Sequence, residues 1–360
     1  MITAAIDFDT LLQEMTGSKI SSAALTVGVF SRVKHIRMKK PYFRARTVDD
    51  LLRHALKDIE KYGEPIKASK GQTREITGVV LELTNPRARL SRTESRGKPF
   101  SCIGELCWYF NGTDETSFIV HYLTHYKKAD EGGHIFGAYG PRLFKRWKSV
   151  KQFENIIKLL REKPTSRRAV LQLFDSADLA QKHEDVPCTC TLQLLVRNGK
   201  LDLIVYMRSN DVIKGLTHDI FCFTMLQEIA ARRLSVELGT YRHCVGSLHL
   251  YSTDDETAKS FLLEGWQPTK SAMPAMPVGD PSSEIRLLLK AEAALRRGED
   301  RRGQLPEEEK ADPYWADLIR LLRVFRYRRL RNKRALGEIR QKMTFPIYDT
   351  YIKRALDGIA

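Results

Sequence analysis

Cys188 lies in Val186-Pro187-Cys188-Thr189-Cys190, at the head of a strand-like run. A thiolate forms readily and leaves readily, which suits covalent catalysis. An ordered polar series follows it: Arg208-Ser209, Asp211, Gly215, Asp219, then His249 and Tyr251. Arg presents a planar cationic fork and Ser adds a short donor, a pairing that fits a phosphate dianion. Upstream, Glu105 is the one acid in an apolar run over residues 103–110. A buried acid without a partner is costly, so Glu105 should be hydrogen-bonded or functional. Burial should also raise its pKa toward the working range of a proton carrier. The bland alternative makes Cys188 a small buried hydrophobe, the reading given to Cys102, Cys107, Cys190 and Cys222. His249 and Tyr251 have an equally bland alternative as core residues.

The bulk properties set the stage for that chemistry. Across 360 residues, 42% are hydrophobic and 29% charged, a globular mix with enough chain for a sizeable core. No apolar stretch approaches the ~18 residues that span a bilayer, and the first residues lack the pattern of a signal peptide. A cytoplasmic protein is expected. Its six cysteines are then expected to be free thiols. Cys188-Thr189-Cys190 has no second Cys/His pair at zinc-finger spacing, so no metal site is expected. The balance of 60 Lys+Arg against 44 Asp+Glu gives a net charge of +16. That excess suits anionic partners without choosing among nucleotides, phosphates and nucleic acid.

The elements that must position these residues read as a mixture. Residues 1–45 form an arm of unclear structure with a basic run over 32–40. Thr47 is a helix N-cap, Asp49 and Asp50 fill the first turn, Leu51, Leu52, Ala55 and Ile59 form the apolar stripe, and Gly63 ends it. Strands are expected over 75–83, 169–174, 191–196, 200–206 and 245–251. Asn198-Gly199 makes the middle pair a hairpin, because both turn positions need positive φ. Period two puts Ser247, His249 and Tyr251 on one strand face. Residues 127–142 read as a loop, 150–161 as a helix, and 220–234 as a helix apolar almost all round. Four prolines over 267–283 read as a linker or surface loop. The chain beyond it is helical and charged, with a very basic stretch over 323–342. Hairpins without regular β-α-β alternation argue for an α+β fold. The division expected is an arm (1–45), a catalytic domain (46–283) and a helical extension (284–360).

These motifs resemble the thymidylate synthase superfamily. The residues that carry the resemblance are Pro187-Cys188, Tyr206-x-Arg208-Ser209-x-Asp211-x-x-x-Gly215-x-x-x-Asp219-Ile220 and Gly246-x-x-His249-x-Tyr251. Gly104-Glu105-Leu106-x-Trp108-Tyr109-Phe110-x-Gly112, Tyr139-Gly140 and Ser166-Arg167-Arg168 match in order and approximate spacing. The resemblance covers roughly residues 47–260. It implies a mixed sheet packed with helices, a homodimer and a 5,10-methylenetetrahydrofolate cosubstrate. Cys188 would add to C6 of a pyrimidine nucleotide, so that C5 can attack a one-carbon electrophile. Glu105 would organise water and move protons, and Tyr139 would assist removal of the C5 proton. Arg208 and Ser209 would hold the phosphate and Arg208 would depress the thiol pKa. Arg167 and Arg168 would reach the neighbouring subunit's substrate. His249 and Tyr251 would bind the sugar 3′ hydroxyl, and Asp211, with Gly215 nearby, would face the folate pterin.

The departures from the family concern the substrate. Where thymidylate synthases read Gly-x-Pro-Phe-Asn, this chain reads Gly215-Leu216-Thr217-His218-Asp219. A carboxylate only accepts, so Asp219 repels uracil O4 and suits the cytosine amino group. The same exchange, with Tyr139-Gly140-Pro141-Arg142-Leu143, resembles the deoxycytidylate and cytidylate hydroxymethylase branch. The family's drying tryptophans are absent from Tyr122-Leu123-Thr124-His125-Tyr126-Lys127, which points to water rather than hydride in the last step. The Arg-Thr-Gly-x-Gly phosphate loop is also absent, and Lys67, Lys70 or Arg74 would supply its charge. A pyrimidine nucleotide hydroxymethylase acting on CMP or dCMP is the leading expectation. A divergent thymidylate synthase acting on dUMP, and a nucleic-acid-binding or scaffolding protein that keeps the fold, are the alternatives.

Overall fold

The computed structural model describes residues 41–68, 71–94, 97–145, 150–300 and 305–359. Most of the expected N-terminal arm, its basic run over 32–40, and Lys70 lie outside the described residues. Within the remainder, strand β1 (Tyr42–Ala45) leads into helix α1 (Val48–Tyr62). Thr47 Oγ1 accepts from the Asp50 amide at 3.2 Å, and the Gly63 amide donates to the Ile59 carbonyl at 2.9 Å. Leu51, Leu52, Ala55 and Ile59 are fully buried, as the stripe requires. Strands β2 (Glu64–Ala68) and β3 (Gly71–Leu83) follow as an antiparallel pair.

Helices α2 (Pro99–Asn111) and α3 (Thr116–Tyr122) come next. The expected loop over 127–142 gives way to helix α4 (Tyr139–Phe144), so Tyr139 opens a helical turn. Helix α5 (Gln152–Glu162) and the short strand β4 (Val170–Gln172) lead to the hairpin of β5 (Thr189–Arg197) and β6 (Lys200–Asp211). Asn198 and Gly199 have φ of 50° and 72°, the left-handed pair a two-residue hairpin needs. Strand β6 runs five residues past its expected end and carries Arg208, Ser209 and Asp211. Helix α6 (Leu216–Arg233) is buried from Leu216 to Ala231, and strand β7 (Glu237–Tyr251) follows it.

The seven described strands form one sheet in the order β1-β3-β7-β6-β5-β4, with β2 also on β3. The β1–β3 and β6–β7 pairs are parallel and the others antiparallel. Alternation divides its faces. Leu192, Val205, His243 and Leu81 form one buried row across four strands, and Met207, Val245 and Val79 form the next. Helices cover this side, α1 on β3 and α6 on β6 and β7. On the other side Gln193, Ile204, Cys244 and Val80 are half-buried, and Val170 and Tyr206 are 40% and 46% exposed. One sheet face is therefore core and the other is open.

The C-terminal part adds α7 (Asp255–Leu263), α8 (Ser282–Arg297), α9 (Pro306–Lys310), α10 (Pro313–Arg329), α11 (Lys333–Lys342) and α12 (Asp349–Asp357). Residues 41–360 form one compact unit. The proline-rich segment expected as a linker or surface loop is a surface strap pinned to the core. Its Met273 and Met276 are buried, and the Met276 amide donates to Glu228 Oε1 at 3.0 Å. Helices α8 and α10 pack on α2, which carries Glu105. The basic stretch over 323–342 is broken where Arg331 turns left-handed, and the Asn332 side chain caps α11. Several of its arginines face acids: Arg323 with Glu308 at 2.6 Å, Arg326 with Asp300 at 2.9 Å, Arg340 with Asp349 at 2.5 Å. No described helix is long and apolar enough to cross a membrane.

Candidate active site

Cys188 precedes β5 by one residue and is half-buried. Its carbonyl accepts from the Arg208 amide at 2.8 Å. The Arg208 guanidinium donates to the Pro187 carbonyl at 3.0 Å and the Val186 carbonyl at 2.9 Å. Arg208 thus clasps the turn that presents the thiol, and its exposed position keeps a charged edge on that turn. Tyr139 approaches from α4, where its hydroxyl accepts from the Thr189 amide at 3.1 Å. Its ring lies 5.4 Å from Tyr109 and stacks on Phe223 at 6.2 Å. Burial pushes the Tyr139 hydroxyl pKa well up, and the charges of Asp219 and Cys188 add to the shift. Tyr251 is raised by burial and then by Asp211 and Cys188. Cys188, Tyr139, Tyr251, Asp211 and Asp219 therefore share one electrostatic neighbourhood, although they come from four separate elements and the turn before β5.

Glu105 projects from the middle of α2 and is 4% exposed. Its Oε1 accepts from the Tyr109 hydroxyl at 3.2 Å and the Tyr126 hydroxyl at 3.3 Å, while its buried Oε2 accepts nothing in the structure. Burial, then the charge of Asp219, raises its pKa to about 8; the two tyrosines only partly offset this. Glu105 is thus a neutral acid at pH 7 with one oxygen available. Of the polar stretch 122–127, Tyr126 alone hydrogen-bonds Glu105. Tyr122 turns the other way, where its hydroxyl donates to Glu292 of α8 at 2.9 Å and its ring meets Phe325 at 5.0 Å. That part of the expected polar pocket is core.

Asp219 occupies the first turn of α6, where its amide donates to the Gly215 carbonyl at 3.0 Å. Its Oδ2 accepts from Asn210 Nδ2 at 2.8 Å. Burial raises its pKa to about 7, and the Asn210 donor holds it from going higher. Gly215 sits close to the site, where a Cβ would press to 3.3 Å on both Asn210 Oδ1 and Asp219 Oδ2 and would make them give by a few tenths of an ångström. Asp211 Oδ1 accepts from the Ile213 and Lys214 amides at 2.8 and 2.9 Å, which fixes the turn from β6 into α6. Beside that turn an open cleft of about 440 Å³ is lined by Lys98, Ile213, Lys214, Asp254, Thr257 and Ser260.

Register carries the rest. Asp211 pairs with His249 and Ser209 with Ser247 across β6 and β7. His249 and Tyr251 meet edge to face at 5.1 Å. Arg74 is tied to Asp255 at 2.7 Å, which leaves it poorly placed to supply the missing phosphate loop's charge, and Lys67 is exposed on β2. Arg167 and Arg168 are exposed just before β4 and make no ion pair among the described residues. The Arg167 carbonyl accepts from Gln193, and the Leu194 amide donates to the Ala169 carbonyl. These arginines therefore sit at the far end of β5 from Cys188, roughly 20 Å away along the strand at ~3.3 Å per residue.

Tyr109, Tyr126 and Asn210 were not singled out as site residues in the sequence. Tyr109 was reachable, because it lies four residues from Glu105 on one helix face. Tyr126 and Asn210 become site residues only through tertiary packing. Among the described residues, no group of three or more His, Cys, Asp or Glu could hold a metal ion.

Residues 53–285 match the family model described as thymidylate synthase. A deoxyuridylate hydroxymethyltransferase of Bacillus phage SP01 is 30% identical over 219 residues, which is 57% of this chain and 57% of that protein. The match thus spans little more than half the length of this curated relative.

Proposed function

The chain belongs to the thymidylate synthase family, and from that premise we propose that it hydroxymethylates C5 of a cytidine nucleotide, CMP or dCMP. The observation that supports this ring is Asp219, a buried carboxyl at the head of α6 where the family motif has an amide.

Cys188 Sγ adds to C6 of the ring and breaks the C5–C6 double bond. The electron pair moves through C5 toward C4 and N3, where Asp219 donates a proton. C5 then forms a bond to the one-carbon unit that methylenetetrahydrofolate supplies at the formaldehyde oxidation level. The C5 proton leaves through Tyr139 and the water held near Glu105. The electron pair left at C5 expels tetrahydrofolate from the one-carbon unit, which becomes an exocyclic methylene on a ring that still carries Cys188 at C6. Water adds to that methylene, and the electrons returned to C5 expel Cys188 and restore the C5–C6 double bond. The sum is nucleotide, methylenetetrahydrofolate and water giving 5-hydroxymethyl nucleotide and tetrahydrofolate. The two carboxyls are raised toward neutrality, Glu105 to about 8 and Asp219 to about 7, which suits proton transfer. For the cosubstrate, Asp211 offers an acceptor to the pterin, while the cleft beside it balances Lys98 and Lys214 against Asp254 and Glu256, with Lys214 paired to Asp254.

The same proposal includes a homodimer. The open sheet face needs a cover, and Arg167 and Arg168 stand too far from Cys188 to serve its substrate within one chain. A second copy packed on that face would bring them to the neighbouring phosphate, alongside Arg208 and Ser209. His249 and Tyr251 would hold the sugar.

A second reading has its own support. The phage SP01 relative is named for deoxyuridylate. Below about pH 7 Asp219 is neutral, and a neutral carboxyl can donate to uracil O4 as well as to cytosine N3. Incubation with methylenetetrahydrofolate and each of dCMP, CMP, dUMP and UMP, read by product mass, separates these readings. Hydroxymethylcytidylate supports the first. Turnover of uracil nucleotides alone refutes it, and dihydrofolate formation with dTMP would restore ordinary thymidylate synthesis.

A further inference from the structure

We propose that Asn210 is a positioning residue for Asp219, and that its amide, backed by His243 and Tyr241, turns over with the proton that Asp219 carries. This rests on the reading that Asp219 meets the pyrimidine. The geometry is an unbroken polar line through an apolar row. His243 is fully buried, with Leu81 and Val205 as its cross-strand neighbours. Its Nδ1 lies 2.6 Å from the buried Tyr241 hydroxyl. Its Nε2 lies 3.4 Å from Asn210 Nδ2, which lies 2.8 Å from Asp219 Oδ2 and 2.9 Å from Met207 Sδ. Asn210 Oδ1 is buried and accepts nothing in the structure.

Without substrate, two hydrogen arrangements match donors to acceptors along this line, one with Asp219 Oδ2 bare and one with Oδ2 protonated. In the first, the Asn210 NH₂ donates to ionised Asp219 and to a bare His243 Nε2, while His243 Nδ1–H donates to the Tyr241 oxygen. In the second, the amide has turned over. Its carbonyl then accepts from protonated Asp219 and from His243 Nε2–H, while the Tyr241 hydroxyl donates to Nδ1. No charge moves onto the imidazole in either case, in keeping with burial pushing its pKa down to about 3. The line therefore accommodates both states of Asp219 without leaving donor against donor. A purely packing histidine would need no such alignment. The titratable groups whose ionisation feels the charge of Asp219 are Glu105, Tyr109, Tyr126, Tyr139, Cys222 and Tyr241. Each is neutral near pH 7, so the Asn210 donor is the main support for the charged form.

The test is the Asp219 titration in the full-length protein without substrate, read from ¹³C-carboxyl resonances and assigned with Asp219→Asn. Asn210→Leu should raise the midpoint by about one to two pH units, because a donor to the charged form is lost. His243→Phe should raise it by a smaller amount, because the amide loses its backing. Midpoints within about 0.2 unit of the parent in both variants overturn the proposal. Should Asn210→Leu fail to fold, His243→Phe decides alone. No nucleotide enters the measurement, so a failure of the cytidylate reading and a failure of this one are distinguishable.

Discussion

Asp219→Asn tests the substrate assignment at one atom. In the parent, Asn210 Nδ2 donates to Asp219 Oδ2 at 2.8 Å, and Met207 Sδ and His243 Nε2 hold that nitrogen in place. The same donor should select the carbonyl oxygen of the new amide for the Oδ2 position. The new NH₂ then takes the position left for the ring. There it donates to uracil O4 and opposes the cytosine amino group, donor against donor. One buried hydrogen bond is lost with cytosine and one is gained with uracil. At ~1–3 kcal/mol for a buried donor left unpaired, the swing is about 3 kcal/mol, or ~10²-fold in relative kcat/KM. The assay is competition between equimolar dCMP and dUMP, with both products weighed. A ratio within about twofold of the parent, or one moved toward cytidylate, would refute the orientation given to Asn210 and the role given to Asp219.

Three other outcomes are expected. Asp219 has its pKa raised to about 7, so it is neutral below that pH and charged above it. The kcat/KM for dCMP should then fall as pH rises from 6 to 9, by up to about tenfold per unit above the midpoint, because Asp219 gives its proton to N3; a flat profile contradicts this. Glu105→Gln should remove activity yet stabilise the fold at high pH. Glu105 holds its proton in the folded state to about pH 8 but loses it from 4.5 in the unfolded chain. Folding therefore weakens as pH rises through that window, and the variant's melting temperature should exceed the parent's at pH 8 by several degrees while matching it at pH 4. Finally, Cys188→Ala and Arg168→Ala homodimers should each be nearly inactive. Mixing them with subunit exchange should restore about a quarter of the activity, since half the dimers carry one intact site; no recovery would place Arg168 outside the partner's site.

Much of the architecture was readable because local rules and tertiary needs agreed. The Asn198-Gly199 turn, the Thr47 cap and the all-apolar α6 each state their structure within a few residues. Glu105 was readable as a buried acid because nothing else in its helix is charged. The missed parts depend on distant partners. Tyr139 opens a helix that Gly140 permits by close approach to the Tyr109 and Trp108 carbonyls of α2. The strap over 267–283 looked like a linker because proline composition says nothing of two methionines that fill the core. The arginines over 323–342 read only as a very basic stretch because their acids, Glu308, Asp300 and Asp349, are 9 to 26 residues away in sequence. Asn210 stands between the conspicuous Ser209 and Asp211, and only the fold shows which way its amide points.

The two buried acids explain why a carboxyl at position 219 is workable at all. Adding a thiolate to C6 drives electrons toward N3 and the 4-substituent, so the ring needs a proton donor at that edge when Cys188 attacks. An ordinary aspartate would be charged at pH 7 and would oppose this; Asp219, with a pKa near 7, still carries its proton about half the time. Once the proton has moved to N3, the carboxylate faces N3–H and the amino group, two donors matched to two acceptors. The charge that appears on Asp219 is, after burial, one of the causes that hold the Glu105 pKa at about 8. Glu105 thus holds its proton while the adduct exists, and can release it as Asp219 recovers its own. In the proposed mechanism the order of proton events would follow from electrostatic coupling between α2 and α6. Helices α8 and α10 of the C-terminal extension pack on α2, so they support the element that carries Glu105.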